Sequence, residues 1–263
     1  MLKLLKYEWK ACARACLPFY GAIILVALIN HLLYSEAVPE LLFGIPAAIM
    51  SMLYVVIFAA VFVATAVILV QRFYKSLLGG EGYLMFTLPV SRSQLIWSKL
   101  LVALVWSVLS TVLAALAWMA EISVVGRENV FSLIAQGLRS LRQHLSGNLT
   151  GCAAALVVLC LVSCLVSFLK FYAAISLGHS FSNHKVLLSV VFYIGFGIVT
   201  QTIGSIFASV GIQININPDL WTNLPVVQVF SSLAWAAAGV SALLGAAYYV
   251  LTLLMLKKRL NLQ

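Results

Sequence analysis

Residues able to do chemistry are few in this chain, and their spacing speaks against most catalysis. The 263 residues include seven acids, four histidines and five cysteines. Cys12, Cys16, Cys152, Cys160 and Cys164 form no Cys-x-x-Cys pair and no cysteine–histidine set with zinc spacing. Cys160 and Cys164 share a helix face inside an apolar stretch, where thiols act as small packing groups. His31, His144, His179 and His184 all fall near the ends of apolar segments. There is no His-Glu-x-x-His or Gly-x-Ser-x-Gly motif. The glycine turn at Gly79, Gly80 and Gly82 lacks the lysine–hydroxyl pair of a phosphate loop, so the chain is not expected to bind ATP itself. These absences predict a non-catalytic chain with no metal or cofactor of its own.

The elements that position these residues are apolar. Hydrophobic residues make up 63% of the chain and charged ones 9%. So few polar groups could not cover a water-soluble surface. Six stretches approach or exceed the roughly 20 apolar residues needed to cross hydrocarbon: 17–34, 46–70, 100–120, 149–169, 186–211 and 227–256. Backbone groups in lipid must pair internally, so these should be helices. The predicted fold is all-α and polytopic, a single transmembrane domain over 1–263.

The net charge of +9 is spread along the chain, flanking the spans, which argues against nucleic-acid binding. Thirteen of sixteen cations, with Glu8 and Glu81, sit on one set of flanks. Arg127, Arg139 and Arg142 share the other with five acids. The positive-inside rule then places both termini in the cytoplasm. The span centres hold no ionisable residue, which speaks against an ion-coupled pump. Residues 1–16 read as a short amphipathic helix in the cytoplasmic interface, with Leu2, Leu5, Trp9 and Ala13 along one stripe.

Residues 72–99, between spans two and three, are the most informative. Phe73 and Leu77 begin a short amphipathic helix, broken at Gly79-Gly80-Glu81-Gly82. After Pro89, Ser91 is the natural N-cap and Gln94 completes a capping box. From Arg92 a helix should run straight into the third span. Residues 121–148 should lie outside, with Val130, Leu133, Ile134, Leu138, Leu141 and Leu145 at helical spacing, as a helix on the membrane or capping the bundle, with a re-entrant segment as the competing reading. In the fifth span, Thr200, Gln201, Ser205 and Ser209 could line a pathway, or bond to neighbouring helices. In the sixth, Ala234, Ala238, Ala242 and Ala246 recur every four residues, as in a helix-packing face.

The stretch GEGYLMFTLPVSRSQLIWSKLL, residues 80–101, resembles the first cytoplasmic loop of type-2 ATP-binding-cassette (ABC) permeases, the membrane subunits of bacterial exporters. Glu81, Gly82, Leu88, Pro89, Val90, Ser91, Arg92 and Lys99 stand at matching places. The resemblance implies a multi-pass protein of the bacterial inner membrane. It implies partnership with two copies of an ABC ATPase, which would hold ATP and magnesium, and with a second permease, identical or not. A cytoplasmic coupling helix would dock on the ATPase through Arg72, Phe73, Lys75, Leu77, Gly79, Gly80, Glu81, Gly82 and Tyr83, with Pro89, Ser91, Arg92 and Gln94 nearby. The apolar interior suits a hydrophobic or amphipathic cargo: peptide, drug or lipid. The basic cytoplasmic face fits equally a membrane anchor for a cytoplasmic partner; an ion-independent carrier or flippase gains little support, since no inverted repeat and no midplane charge is present.

Overall fold

The computed structural model describes residues 2–33, 44–77, 90–125, 130–144, 148–181, 184–216 and 226–258. Among them the chain is all-helical, with seven helices and no strand. These are α1 (Leu2–Leu33), α2 (Gly44–Leu77), α3 (Arg92–Val125), α4 (Val130–His144), α5 (Leu149–Gly178), α6 (Lys185–Ile216) and α7 (Val226–Lys258). Six contain candidate membrane spans: Leu4–Ile29, Val55–Leu77, Arg92–Ala120, Leu149–Gly178, Lys185–Phe207 and Val227–Lys257. The chain is therefore a multi-pass membrane protein.

Each of these six helices has 30 to 34 residues. At 1.5 Å per residue, about 45–50 Å, they exceed a hydrocarbon core of about 30 Å. Their ends therefore reach through the headgroup layers. Large apolar side chains such as Val190, Ile194 and Ile198 are more than half exposed on α6, as lipid-facing residues are.

The N-terminal stretch corrects the sequence reading. Residues 2–16 are not a separate interfacial helix. They continue unbroken into the first span, with Pro18 inside the helix. The buried stripe is Glu8, Cys12, Cys16, Tyr20 and Ile23, running across the expected junction at helical spacing, while Trp9 is 38% exposed. One continuous packed face keeps the two parts in one rod.

The chain divides into two compact units. The first comprises Met1–Arg72 with Leu101–Ser140. Here Tyr20 on α1 donates its hydroxyl proton to the Trp106 carbonyl on α3 at 3.2 Å. The same hydroxyl meets Ser110 Oγ, which donates to Thr65 Oγ1 on α2 at 3.4 Å. Three helices thus share one buried hydroxyl chain. The Trp106 ring lies between Trp9 and Tyr20, at centroid distances of 4.8 and 5.7 Å, and its buried Nε1 has no hydrogen-bond partner among the described residues.

The second unit comprises Phe73–Leu100 with Leu141–Gln263. Its hub is α5, which packs mainly on α7 and also on α6. Asn148 caps α5, its Oδ1 accepting from the Gly151 amide at 3.0 Å. The α7 seam is Ala234, Ala238, Gly245, Tyr248, Thr252 and Leu256. Its steps of three, four and seven follow the 3.5-residue period of packed helices. Ala242 and Ala246 lie on the exposed side. A strict four-residue stripe drifts about 40° per step around a helix, so only its first half, Ala234 and Ala238, enters the interface.

Two glycines mark the closest approaches. A Cβ on Gly245 would sit 2.9 Å from Val166 Cγ2. A Cβ on Gly178 would sit 2.6 Å from the Ser189 backbone nitrogen. Backbone cannot yield as a side-chain tip can. Gly178→Ala should therefore lower the unfolding temperature of the purified chain, with a cost of about 1–3 kcal/mol typical of overpacking. Gly239→Ala, where a Cβ would meet nothing within 4 Å, is the control and should leave that temperature unchanged or higher.

Candidate functional site

The sequence pointed to the segment between spans two and three. Gly79, Gly80, Glu81, Gly82, Tyr83 and Pro89 lie outside the described residues. The flanking residues are placed, and they divide by role.

Arg72, Phe73, Lys75 and Leu77 form the last turns of α2, continuous with the second span. In the first unit, Arg72 Nε donates to Glu8 Oε2 at 2.9 Å. Glu8 is 4% exposed, so this charge pair fastens the base of α2 to α1. In the second unit, Phe73 and Leu77 are 1% and 0% exposed. Phe73 stacks on Tyr172 of α5, with centroids 3.8 Å apart and planes 6° apart. Buried in this way, Phe73 and Leu77 hold helices together within the second unit. Sequence reasoning reads Phe73 and Leu77 as the apolar side of a docking helix because packing and docking both demand an apolar stripe. Lys75 is exposed.

The start of α3 is the better-formed surface. Ser91 Oγ accepts from the Gln94 amide at 3.3 Å, and Gln94 Oε1 accepts from the Ser91 amide at 3.2 Å. This is the reciprocal capping box expected from the sequence, and it pairs amides that a helix start otherwise leaves to water. Ser91, Arg92, Gln94 and Trp97 are exposed. Leu95, Ile96, Ser98, Lys99 and Leu100, on the other face, are buried. Ser93 Oγ lies 2.5 Å from Tyr249 Oη on α7, and the Trp97 ring lies 5.8 Å from that of Tyr249. Sequence reasoning misses these two contacts to α7. Their signal is a pair of hydroxyls 156 residues apart, which no local pattern connects.

Around the same base, the Tyr74 ring meets His179 edge-on at 5.1 Å, and Ser180 Oγ lies 3.4 Å from Met255 Sδ. Burial pushes the His179 pKa below the ordinary histidine value, and the Lys185 charge acts the same way against the raising bond to the Ile175 carbonyl. Lys170 Nζ stands 4.9 Å from the Tyr193 ring centre, a cation–π contact between α5 and α6.

The four polar residues singled out on α6 differ in what their side chains meet. Ser205 and Ser209 return their hydroxyls to carbonyls of their own helix at 2.9 and 2.8 Å. Gln201 is exposed. Thr200 alone of the four faces inward. Its Oγ1 donates to the Phe196 carbonyl at 2.6 Å and lies 2.8 Å from Tyr248 Oη. Beside it a groove of about 490 Å³ opens between α5, α6 and α7. Leu156, Ile203, Phe207, Phe230 and Leu233 make it apolar, and Thr200 and Ser241 are its hydroxyl-bearing residues. Among the described residues no three His, Cys, Asp or Glu side chains gather as a metal site would require.

A histidine pKa lowered by folding means that the unfolded chain takes up the proton first on acidification. Stability should therefore be level above the ordinary histidine range and fall as pH drops through it toward the lowered folded value. Thermal unfolding of the purified chain between pH 8 and pH 5 should show this acid-side loss, and His179→Gln should flatten part of it.

In comparison with known proteins, no family model, no curated protein and no solved structure matches the chain.

Proposed function

We propose that the chain is the permease subunit of an ABC exporter of the bacterial inner membrane, catalytically inactive and driven by a separate ATPase. The observation that carries this reading is the helix that begins at the exposed Ser91–Gln94 box and continues without a break to Val125. Such a rod transmits displacement from its exposed tip into a candidate span. Its tip holds Ser91, Arg92 and Gln94, residues that the family resemblance puts beside the ATPase. Two copies of that ATPase would bind ATP and magnesium, and a second permease would complete the pathway.

The groove supports a hydrophobic or amphipathic cargo. Its volume falls within the roughly 300–1,000 Å³ usual for small-molecule sites, and such sites are mostly apolar with a few polar groups that orient the ligand. Both features are present here.

Two experiments test the reading. Co-expressed with the ATPase encoded nearest to it, the chain should copurify with that protein, and ATP hydrolysis in liposomes should depend on both. Arg92→Glu should lower coupled hydrolysis by about tenfold, the scale on which truncating one important interface side chain acts, while the amount of chain in the membrane stays constant. Failure to associate, or unchanged hydrolysis, would favour a membrane anchor. Second, Gly204 lines the groove, and a Cβ there would meet nothing within 4 Å. Gly204→Leu should fill the groove, abolish stimulation of hydrolysis by cargo and leave the basal rate intact.

A further inference from the structure

The helix α4 has no role in the coupling scheme, and three observations assign it one. It is amphipathic, with Leu133, Ile134 and Leu138 at 40%, 44% and 61% exposure. Large apolar side chains left open along one face of a short helix call for a partner. Its length, 15 residues or about 22 Å, is too short to cross hydrocarbon of about 30 Å, so α4 is not a seventh span.

Covalent connection limits where α4 can go. Residues 126–129 join it to α3, and 145–148 join it to α5. Four residues reach at most about 14 Å. Both α3 and α5 contain candidate spans that end or begin within a few residues of these links. Either end of α4 is thus tethered at the membrane boundary.

Charge then selects the occupant. α4 contains Arg139 and Arg142 and no acid. Both arginines are exposed. They lie on the side of the membrane whose other flanks carry Glu36, Glu40, Glu121, Glu128 and Asp219. Basic residues that depart from the positive-inside pattern and cluster on one amphipathic helix need a local anion. At 3.6 residues per turn Arg139 falls opposite the Leu133–Ile134–Leu138 face, while Arg142 falls near its edge next to Leu138. A guanidinium at that edge, with its stem along apolar surface, matches the geometry of phosphate binding at a lipid interface.

We propose that α4 is an interfacial anchor. It lies in the phospholipid headgroup layer of the leaflet opposite the chain termini, with Leu133, Ile134 and Leu138 among the acyl chains and Arg142, then Arg139, on lipid phosphates. This sets the depth of the adjoining ends of α3 and α5. It does not depend on the transport reading.

The test uses the full chain in liposomes of zwitterionic phospholipid, with and without an anionic phospholipid. The photoreactive residue p-benzoylphenylalanine replaces Leu138, Ile134 or, on the polar face, Gln136. On illumination, positions 134 and 138 should yield lipid adducts about tenfold more often than 136, as expected for a helix lying in the interface. Adducts mainly to this chain or to a second copy would overturn the proposal, as would equal yields from both faces. Arg139→Gln with Arg142→Gln should remove the increase that anionic lipid brings to the yield at 138, and an unaltered increase would overturn the headgroup contact. Hydroxyl-radical footprinting of the unsubstituted chain supplies a readout without mutation. Leu138 should be protected in liposomes despite its exposure in the isolated chain, and labelling at the rate of a water-exposed leucine would overturn the proposal.

Discussion

In hydrocarbon there is no water to pair a free amide or carbonyl, and this constraint shapes everything else in the chain. It demands long helices, and six of 30 to 34 residues are present. It also removes the usual contrast between an apolar core and a polar surface. Lipid is as apolar as leucine, so helix association must come from close packing and interhelical hydrogen bonds. That is what the two units contain. Gly178 and Gly245 bring backbone and side chains into tight contact around α5, and the Tyr20–Ser110–Thr65 chain ties three helices through hydroxyls.

The same inversion decides what could be read from sequence. The number of candidate spans and the capping box at Ser91 and Gln94 were legible, because hydrophobic length and capping chemistry are local. The packed face of α1 was not. An interfacial reading puts Leu2, Leu5, Trp9 and Ala13 on one side, as amphipathicity in water would. The structure buries Glu8, Cys12 and Cys16 instead, since small and polar groups are the ones that gain from leaving lipid. The alanine stripe of α7 is legible in part: Ala234 and Ala238 enter the seam, and because two packed helices keep a 3.5-residue register, Ala242 and Ala246 rotate away from it. The hydroxyls of Ser205 and Ser209 return to carbonyls of their own helix, a pairing that the sequence pattern does not show.

Around residues 72–99 the structure changes the candidate site by separating what anchors from what is offered. Phe73, Leu77, Leu95, Ile96 and Leu100 are committed to packing. Lys75, Ser91, Arg92 and Gln94 remain on the surface. The charge on Arg72 is answered by Glu8 within the first unit. An apolar residue near a loop is ambiguous between these two uses until its neighbours are known, and its neighbours here, such as Tyr172, lie about a hundred residues away in sequence.

This separation bears on how a push at the tip of α3 would spread. A helix start without a cap frays, and a load applied there is dissipated in unwinding the first turn. The reciprocal Ser91–Gln94 bonds hold that turn, at a gain of roughly 1 kcal/mol typical of an N-cap. The buried face one turn later and the Ser93–Tyr249 contact bind the tip of α3 to α7. Force delivered at Arg92 would therefore enter α7 within the second unit. The α7 helix also lines the apolar groove, through Phe230, Leu233 and Ala234. On the proposed reading, the Ser93–Tyr249 contact within the second unit gives a push at the tip of α3 a route to the groove that α7 lines.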